Sequence, residues 1–157
     1  MKLRHIVPDS AIIPALQSSD RDEVVSELVD ALVSAGAAAE ALRDELVKRV
    51  LERESRGSTG FGRGVAVPHV KHDDITEIVA AVGLSDPGVD FNSLDKQPVH
   101  SVFLLLSPAQ KPEEHLQAME IIFKNLSQDT FRRFLRQASS VEEVQQLLDE
   151  ADQQKFV

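Results

Sequence analysis

His69 is the side chain that this sequence most clearly prepares for chemistry. It follows Pro68, which holds Val67 extended and denies the chain a helix at that point. Ahead of it runs Gly57-Ser58-Thr59-Gly60-Phe61-Gly62-Arg63-Gly64, whose glycines leave the backbone free to lie close to a bound group. Val65-Ala66-Val67 reads as a brief buried strand. An imidazole at the end of such a strand, beside a glycine loop, faces solvent on a fixed backbone and changes charge near neutral pH.

Three chemistries fit these residue types. Gly57 to Gly62 has the spacing of the first half of a phosphate-binding loop, but Arg63-Gly64 stands where Lys and Ser or Thr are needed. Gly60-x-Gly62-x-Gly64 likewise misses the dinucleotide pattern, so a tight turn is the better reading. His69 and His72 form a His-x-x-His pair that Asp73, Asp74 and His115 could complete around a metal. That spacing needs a helix, which Pro68 opposes, and no metal site is assigned. The third chemistry is phosphorylation of histidine. A neutral imidazole nitrogen attacks phosphorus, and a loose, highly charged transition state asks for an Arg fork, a second His and backbone N–H groups. The chain holds all three kinds of part, and periodicity alone does not place them together.

Composition narrows the field. With 157 residues the chain suits one domain with a full core. Its net charge of −9 argues against a broad footprint on nucleic acid or anionic lipid. Without Tyr or Trp it lacks the usual stacking platforms for single strands. The absence of cysteine removes disulfides and thiolate chemistry. No apolar run approaches membrane-spanning length and Met1–Ser10 has no signal-peptide core, so a cytoplasmic protein with no direct membrane insertion is expected.

The elements that must position the chemistry follow from periodicity. Residues 1–18 are short apolar pieces broken by Pro8 and Pro14. Asp20, with Glu23 as capping-box partner, opens a helix that Gly36 ends. A second helix buries Leu42, Leu46, Val47, Val50 and Leu51 and stops near Gly57. After a turn at Asp73-Asp74, residues 77–85 read as a buried strand and Asp86-Pro87-Gly88 as a turn. Val89 to Pro98 is irregular. Val99 to Ser107 is the most strand-like run and reads as central to the sheet. Pro112 with Glu113 and Glu114 opens a helix that carries His115. Two further helices centre on Phe131 and, behind a Ser140–Glu143 capping box, on Val144 and Leu147. Helices, short strands, then helices indicate one α/β domain.

The run Arg53-Glu54-Ser55-Arg56-Gly57-Ser58-Thr59-Gly60-Phe61-Gly62-Arg63-Gly64-Val65-Ala66-Val67-Pro68-His69 closely resembles the active-site motif of the enzyme IIA domains of the phosphoenolpyruvate-dependent sugar phosphotransferase system, in their fructose/mannitol class with its nitrogen-regulatory members. Val89-Asp90-Phe91, the strand at 102–106 and Glu114-His115-Leu116 agree with that resemblance. It implies a small mixed β-sheet flanked by helices on both faces, over residues 1–151; residues 152–157 read from the sequence as a frayed tail. It implies that His69 is the phosphorylated nucleophile, that His115 and Arg53 assist, that Thr59 binds phosphate, and that neither metal nor organic cofactor is required. The implied partners are an HPr-like carrier protein as donor and a IIB domain as acceptor. A second implication is regulatory, with the phosphorylation state of His69 read by other proteins. Val70 departs from the small residue common after the histidine.

Overall fold

The alternation of side chains along two long strands explains the architecture. The computed structural model describes residues 1–157. A short helix α1 (Leu3–Ile6) leads through a 3-10 turn to β1 (Ile12–Ile13), then α2 (Arg21–Ser34) and α3 (Arg43–Arg56). The middle of the chain gives β2 (Gly60–Gly62), β3 (Val65–Ala66), β4 (His69–His72), β5 (Val79–Val89) and β6 (Val99–Pro108). Helices α4 (Pro112–Leu126), α5 (Asp129–Gln137) and α6 (Val141–Asp152) complete it.

Along β5, Ala80, Val82 and Leu84 enter one core while Val79 and Ala81 enter another. Along β6, Phe103 and Leu105 separate in the same way from Val102, Leu104 and Leu106. Period-two strands buried on both faces require a layer on each side. Helices α1, α4, α5 and α6 cover one face, and α2 with α3 covers the other. The single α/β domain with helices on both faces is thus as expected.

β6 lies at the centre. It pairs antiparallel with β5, and parallel with β3 at Ser101 and Val102 and with β4 at Leu105 to Pro108. β1 and β2 form the edges of the mixed sheet, β1 beside β5 and β2 beside β3. β3 and β4 therefore run in succession along the same side of β6, interrupted at Val67-Pro68, with β2 flanking β3. Pro68 has no N–H to give, but its carbonyl accepts from Leu105 N at 2.9 Å, so the ladder continues across the break.

The helix ends follow from local chemistry. Asp20 caps α2 by accepting from Asp22 N at 2.7 Å and Glu23 N at 3.3 Å. At its far end Gly36 has φ +77, and Ala37 N reaches Leu32 O at 3.0 Å, the left-handed closure that glycine favours. Ser140 caps α6 through Glu143 N at 3.1 Å, while the Glu143 carboxylate accepts from Ser139 instead of closing a box.

Two expectations are corrected. Asp86-Pro87-Gly88 does not end a strand. The register passes from Leu84 opposite Ser101 to Val89 opposite Val99, so the segment bulges out of β5 and pairing resumes. Proline is tolerated there because bulged residues give no ladder bond. His69 also does not stand at the end of a strand: it opens β4, which continues the pairing along β6. Fraying is expected of residues 152–157. Here the Asp152 carboxylate accepts from Leu3 N at 2.7 Å and Arg4 N at 3.0 Å, and the Phe156 ring lies 5.1 Å from that of Phe131.

No helix is long and apolar enough to cross a membrane.

Candidate phosphoryl-transfer site

β4 carries His69 and Lys71 on one face and the buried Val70 and His72 on the other. The first face looks toward α4. There His115, in the first turn of α4 and 5 % exposed, sets its ring 5.5 Å from that of His69. The two histidines, 46 positions apart in sequence, thus meet on one face of the sheet. His72 points the other way and bonds Glu45 at 2.9 Å through Nε2. On a strand, positions three apart face opposite sides, so His69 and His72 do not form the ligand pair that their spacing suggested.

Each ring has a defined tautomer. His69 Nδ1 lies 2.8 Å from the Val67 carbonyl. A carbonyl only accepts, so Nδ1 carries the proton and Nε2 of the neutral ring keeps a free lone pair. His115 Nδ1 lies 2.6 Å from the Ser107 hydroxyl. Ser107 is fully buried on β6, and its hydroxyl proton has no other acceptor. The hydroxyl therefore donates to Nδ1, which leaves the proton of His115 on Nε2. One histidine offers a nucleophilic nitrogen and its neighbour offers a donor.

Helix α3 delivers Arg53 and Glu54 at its last turn. Arg53 Nη1 donates to the Gly57 carbonyl at 2.8 Å, which fixes the guanidinium at the base of the glycine loop. Glu54 falls on the buried stripe of Leu46 and Val50 and is itself only 3 % exposed. Its carboxylate accepts from Thr59 N at 3.1 Å and from the Thr59 hydroxyl. Thr59 is buried, and its only hydroxyl proton goes to Glu54 and not toward the histidines. The loop beyond packs against the 92–97 segment so closely that a Cβ on Gly60 would fall 2.3 Å from Ser93 Oγ. Arg63 N is held by Asp95 at 3.0 Å, and the Gln97 N–H first, then this Arg63 N–H, keep the Asp95 carboxyl below its ordinary range.

Thr59→Val should destabilise the protein by about 1–3 kcal/mol, because a buried carboxylate loses a donor that no side chain nearby replaces. A lower denaturant midpoint with an unchanged slope would show it. An unaltered midpoint would mean that water satisfies Glu54 equally well.

The electrostatics keep both rings neutral at physiological pH. Burial is the main force holding His69 below the ordinary histidine value. The Arg53 and Lys71 charges add to it, while the Val67 hydrogen bond and Glu54 oppose it. His115 is pushed down to about 4, by burial first and then by the charges of His69 and Lys71. A depressed folded-state pKa means that the unfolded chain takes the proton first as pH falls. Stability from His115 is therefore complete above about pH 6.5 and drains away toward about pH 4. Denaturant midpoints should fall across that window, and fall less steeply in His115→Gln. Equal slopes in both proteins would assign the pH dependence elsewhere.

The structure brings together three of the expected residues, with the His115 ring beside that of His69 and the Arg53 charge acting on His69, while Thr59 is turned to Glu54. Sequence reasoning missed Ser107 and the role of Glu54. A glutamate on the apolar stripe of α3 was the available signal for the second.

Comparison with known proteins supplies the context. The chain is 31% identical to the fructose-specific EIIABC component of Bacillus subtilis over 97% of its own length, but spans only 24% of that relative. It is 33% identical to the fructose-specific EIIA component of Haloferax volcanii, covering 83% of each chain. It is 35% identical to the nitrogen regulatory protein of Escherichia coli K12, covering 83% of this chain and 77% of that one. Among solved structures, the nitrogen regulatory protein IIA-Ntr from Neisseria meningitidis superposes with a TM-score of 0.83 at 29% identity, over 92% of this chain and 97% of that one. The complex of mannitol enzyme IIA with phosphorylated enzyme IIB from Escherichia coli shares the fold, with a TM-score of 0.76 at 22% identity over 89% and 94% of the chains. The model of the phosphoenolpyruvate-dependent sugar phosphotransferase system EIIA 2 family matches residues 5–151, and the chain belongs to that family.

Proposed function

We propose that this protein is a phosphocarrier whose His69 Nε2 accepts a phosphoryl group from a phosphohistidine carrier of the HPr kind. The observation that supports it best is the pairing of tautomers, a lone pair on His69 Nε2 beside an N–H on His115 Nε2. Nε2 forms a bond to phosphorus as the carrier's P–N bond breaks, and the carrier's nitrogen leaves with the electron pair. No proton need move at His69, because Nδ1–H stays on the Val67 carbonyl. The His115 N–H and the free N–H groups of Arg53 meet the charge on the phosphoryl oxygens. Thr59 contributes to phosphate binding by holding the loop on Glu54; direct donation would require its hydroxyl to turn away from that carboxylate. The reverse chemistry then passes the group to the nucleophile of a IIB domain, as the likeness to the mannitol IIA of the solved IIA–IIB complex suggests. The residues given roles here need no metal or organic cofactor for this chemistry.

The test is intact mass after incubation with phosphoenolpyruvate, enzyme I and HPr. A gain of one acid-labile phosphoryl group supports the reading, and no gain with an active relay overturns it. A regulatory role is the second reading, favoured by the likeness to nitrogen regulatory proteins over most of the chain. Transfer from the phosphorylated protein to a fructose-type IIB domain favours transport. A phosphoprotein that no such IIB domain discharges favours regulation.

Ser107 acts through His115. Ser107→Ala frees Nδ1 to carry the proton, so the ring presents a lone pair to the phosphoryl oxygens. The transfer rate should fall about tenfold, the effect of about 1.4 kcal/mol. Ser107→Thr should recover part of that loss if the methyl is accommodated. A rate unchanged in Ser107→Ala would leave the hydroxyl a packing role only.

A further inference from the structure

Four arginines line one hollow away from the histidines. Arg63, on the tight turn after β2, faces Arg132, Arg133 and Arg136 of α5, and with Asp129 and Gln137 they bound about 560 Å3. No apolar side chain lines it. Arg132 is engaged, through Nη1 to the Leu126 carbonyl at 2.6 Å and through Nη2 to Asp129. Arg133 lies 5.6 Å from the Phe134 ring centre, and Arg63, Arg133 and Arg136 have no carboxylate partner. The lining carries net +3 in a chain of net −9. Elsewhere Arg4, Arg21 and Arg43 are paired with Asp. Arg63 takes φ +62, unusual for a side-chain-bearing residue, and its N–H is fixed on Asp95, so the root of this arginine is held in place.

We propose that this hollow binds a small anion carrying adjacent phosphates. Three planar forks without a carboxylate partner line it, and each can take two oxygens of one phosphate. A single phosphate would leave at least one fork idle, whereas a diphosphate engages all three. The lining is charged or polar throughout, so recognition falls first on the diphosphate. The inference stands apart from the phosphoryl-transfer reading, since none of His69, His115 or Arg53 lines the hollow.

Calorimetric titration of the full chain with inorganic pyrophosphate, inorganic phosphate and ADP tests it. One saturable pyrophosphate site per chain is expected, about tenfold or more tighter than for inorganic phosphate. ADP matching pyrophosphate would identify the diphosphate of a larger metabolite as the ligand, and ADP failing would identify the free ion. Both outcomes keep the site. The double variant Arg133→Gln/Arg136→Gln should weaken pyrophosphate about a hundredfold. Arg63→Gln, an exposed single change, should weaken it about tenfold and serves if the double variant does not fold. Arg53→Ala should bind as wild type does. No saturable heat into the millimolar range, unaltered binding in the α5 or Arg63 variants, or loss in Arg53→Ala would each overturn the proposal, the last by moving the anion to the histidine site.

Discussion

A chain carrying His69→Ala is expected to take up no phosphoryl group from phosphoenolpyruvate, enzyme I and HPr, while unfolding within about 1 kcal/mol of wild type. The chemical part follows from counting free nitrogens. His115 places Nδ1 on Ser107 and is pushed down to about 4, so its remaining nitrogen carries the proton and does not attack. His72 is buried on the far side of β4 against Glu45, and His100 Nδ1 is bound to the Ser85 carbonyl at 2.9 Å. His5 is exposed on α1 with no partner to fix its tautomer, and His69 is the one that combines a half-exposed ring, an Nε2 left free by the Nδ1 bond and cationic neighbours in Arg53 and Lys71. The structural part follows from its contacts. The side chain makes one hydrogen bond, to Val67, and belongs to neither hydrophobic core, while the β4 ladder is backbone and survives the change. Intact mass reads the first outcome and denaturant unfolding the second. A phosphorylated His69→Ala would move the nucleophile to another residue. A variant that loses several kcal/mol would leave the fold, not the missing nitrogen, as the reason for inactivity, and His69→Gln would then be the cleaner test.

Much of this geometry was legible in the sequence because local chemistry and global fold agree. The apolar run 102–106 reads as the most strand-like in the chain and as central to the sheet, and it is the centre of the sheet. Asp20, Pro112 and Ser140 announced their helices by capping chemistry, and the structure starts helices there. The losses have equally physical causes. Pro68 breaks the hydrogen-bonding rhythm that marks a strand, so β4 was hidden, although its carbonyl still serves β6. The bulge at 86–88 carries turn residues within a ladder that continues, and only the partner strand shows that it does. Ser107 carries no local signal at all. Its role comes from strand parity, which puts it on the same side as Phe103 and Leu105, and from the docking of α4 above it. Tautomers belong to the same class, because a nitrogen's proton is decided by a neighbour far away in sequence.

Arg53→Ala is expected to slow phosphoryl acceptance by about 2–4 kcal/mol of barrier, roughly thirtyfold to a thousandfold, the range for removing one preorganised charge-stabilising donor. The guanidinium is tethered by one N–H to Gly57, which leaves its other N–H groups for the phosphoryl oxygens. Its loss has a second consequence. Arg53 helps to hold His69 below the ordinary histidine range, so without it the pKa of His69 rises and the ring protonates at higher pH. The acid limb of the rate–pH profile should therefore move to higher pH in Arg53→Ala, which a merely structural role would not produce. Arg53→Lys separates charge from shape. Lysine keeps the positive charge, and so the acid limb, but lacks the planar fork that matches two phosphoryl oxygens. An intermediate rate with a wild-type pH profile would show that both contribute. A wild-type rate in Arg53→Lys would mean that charge alone suffices. A wild-type rate in Arg53→Ala would remove this arginine from the reaction and leave His115 and the loop amides to stabilise the transferring group.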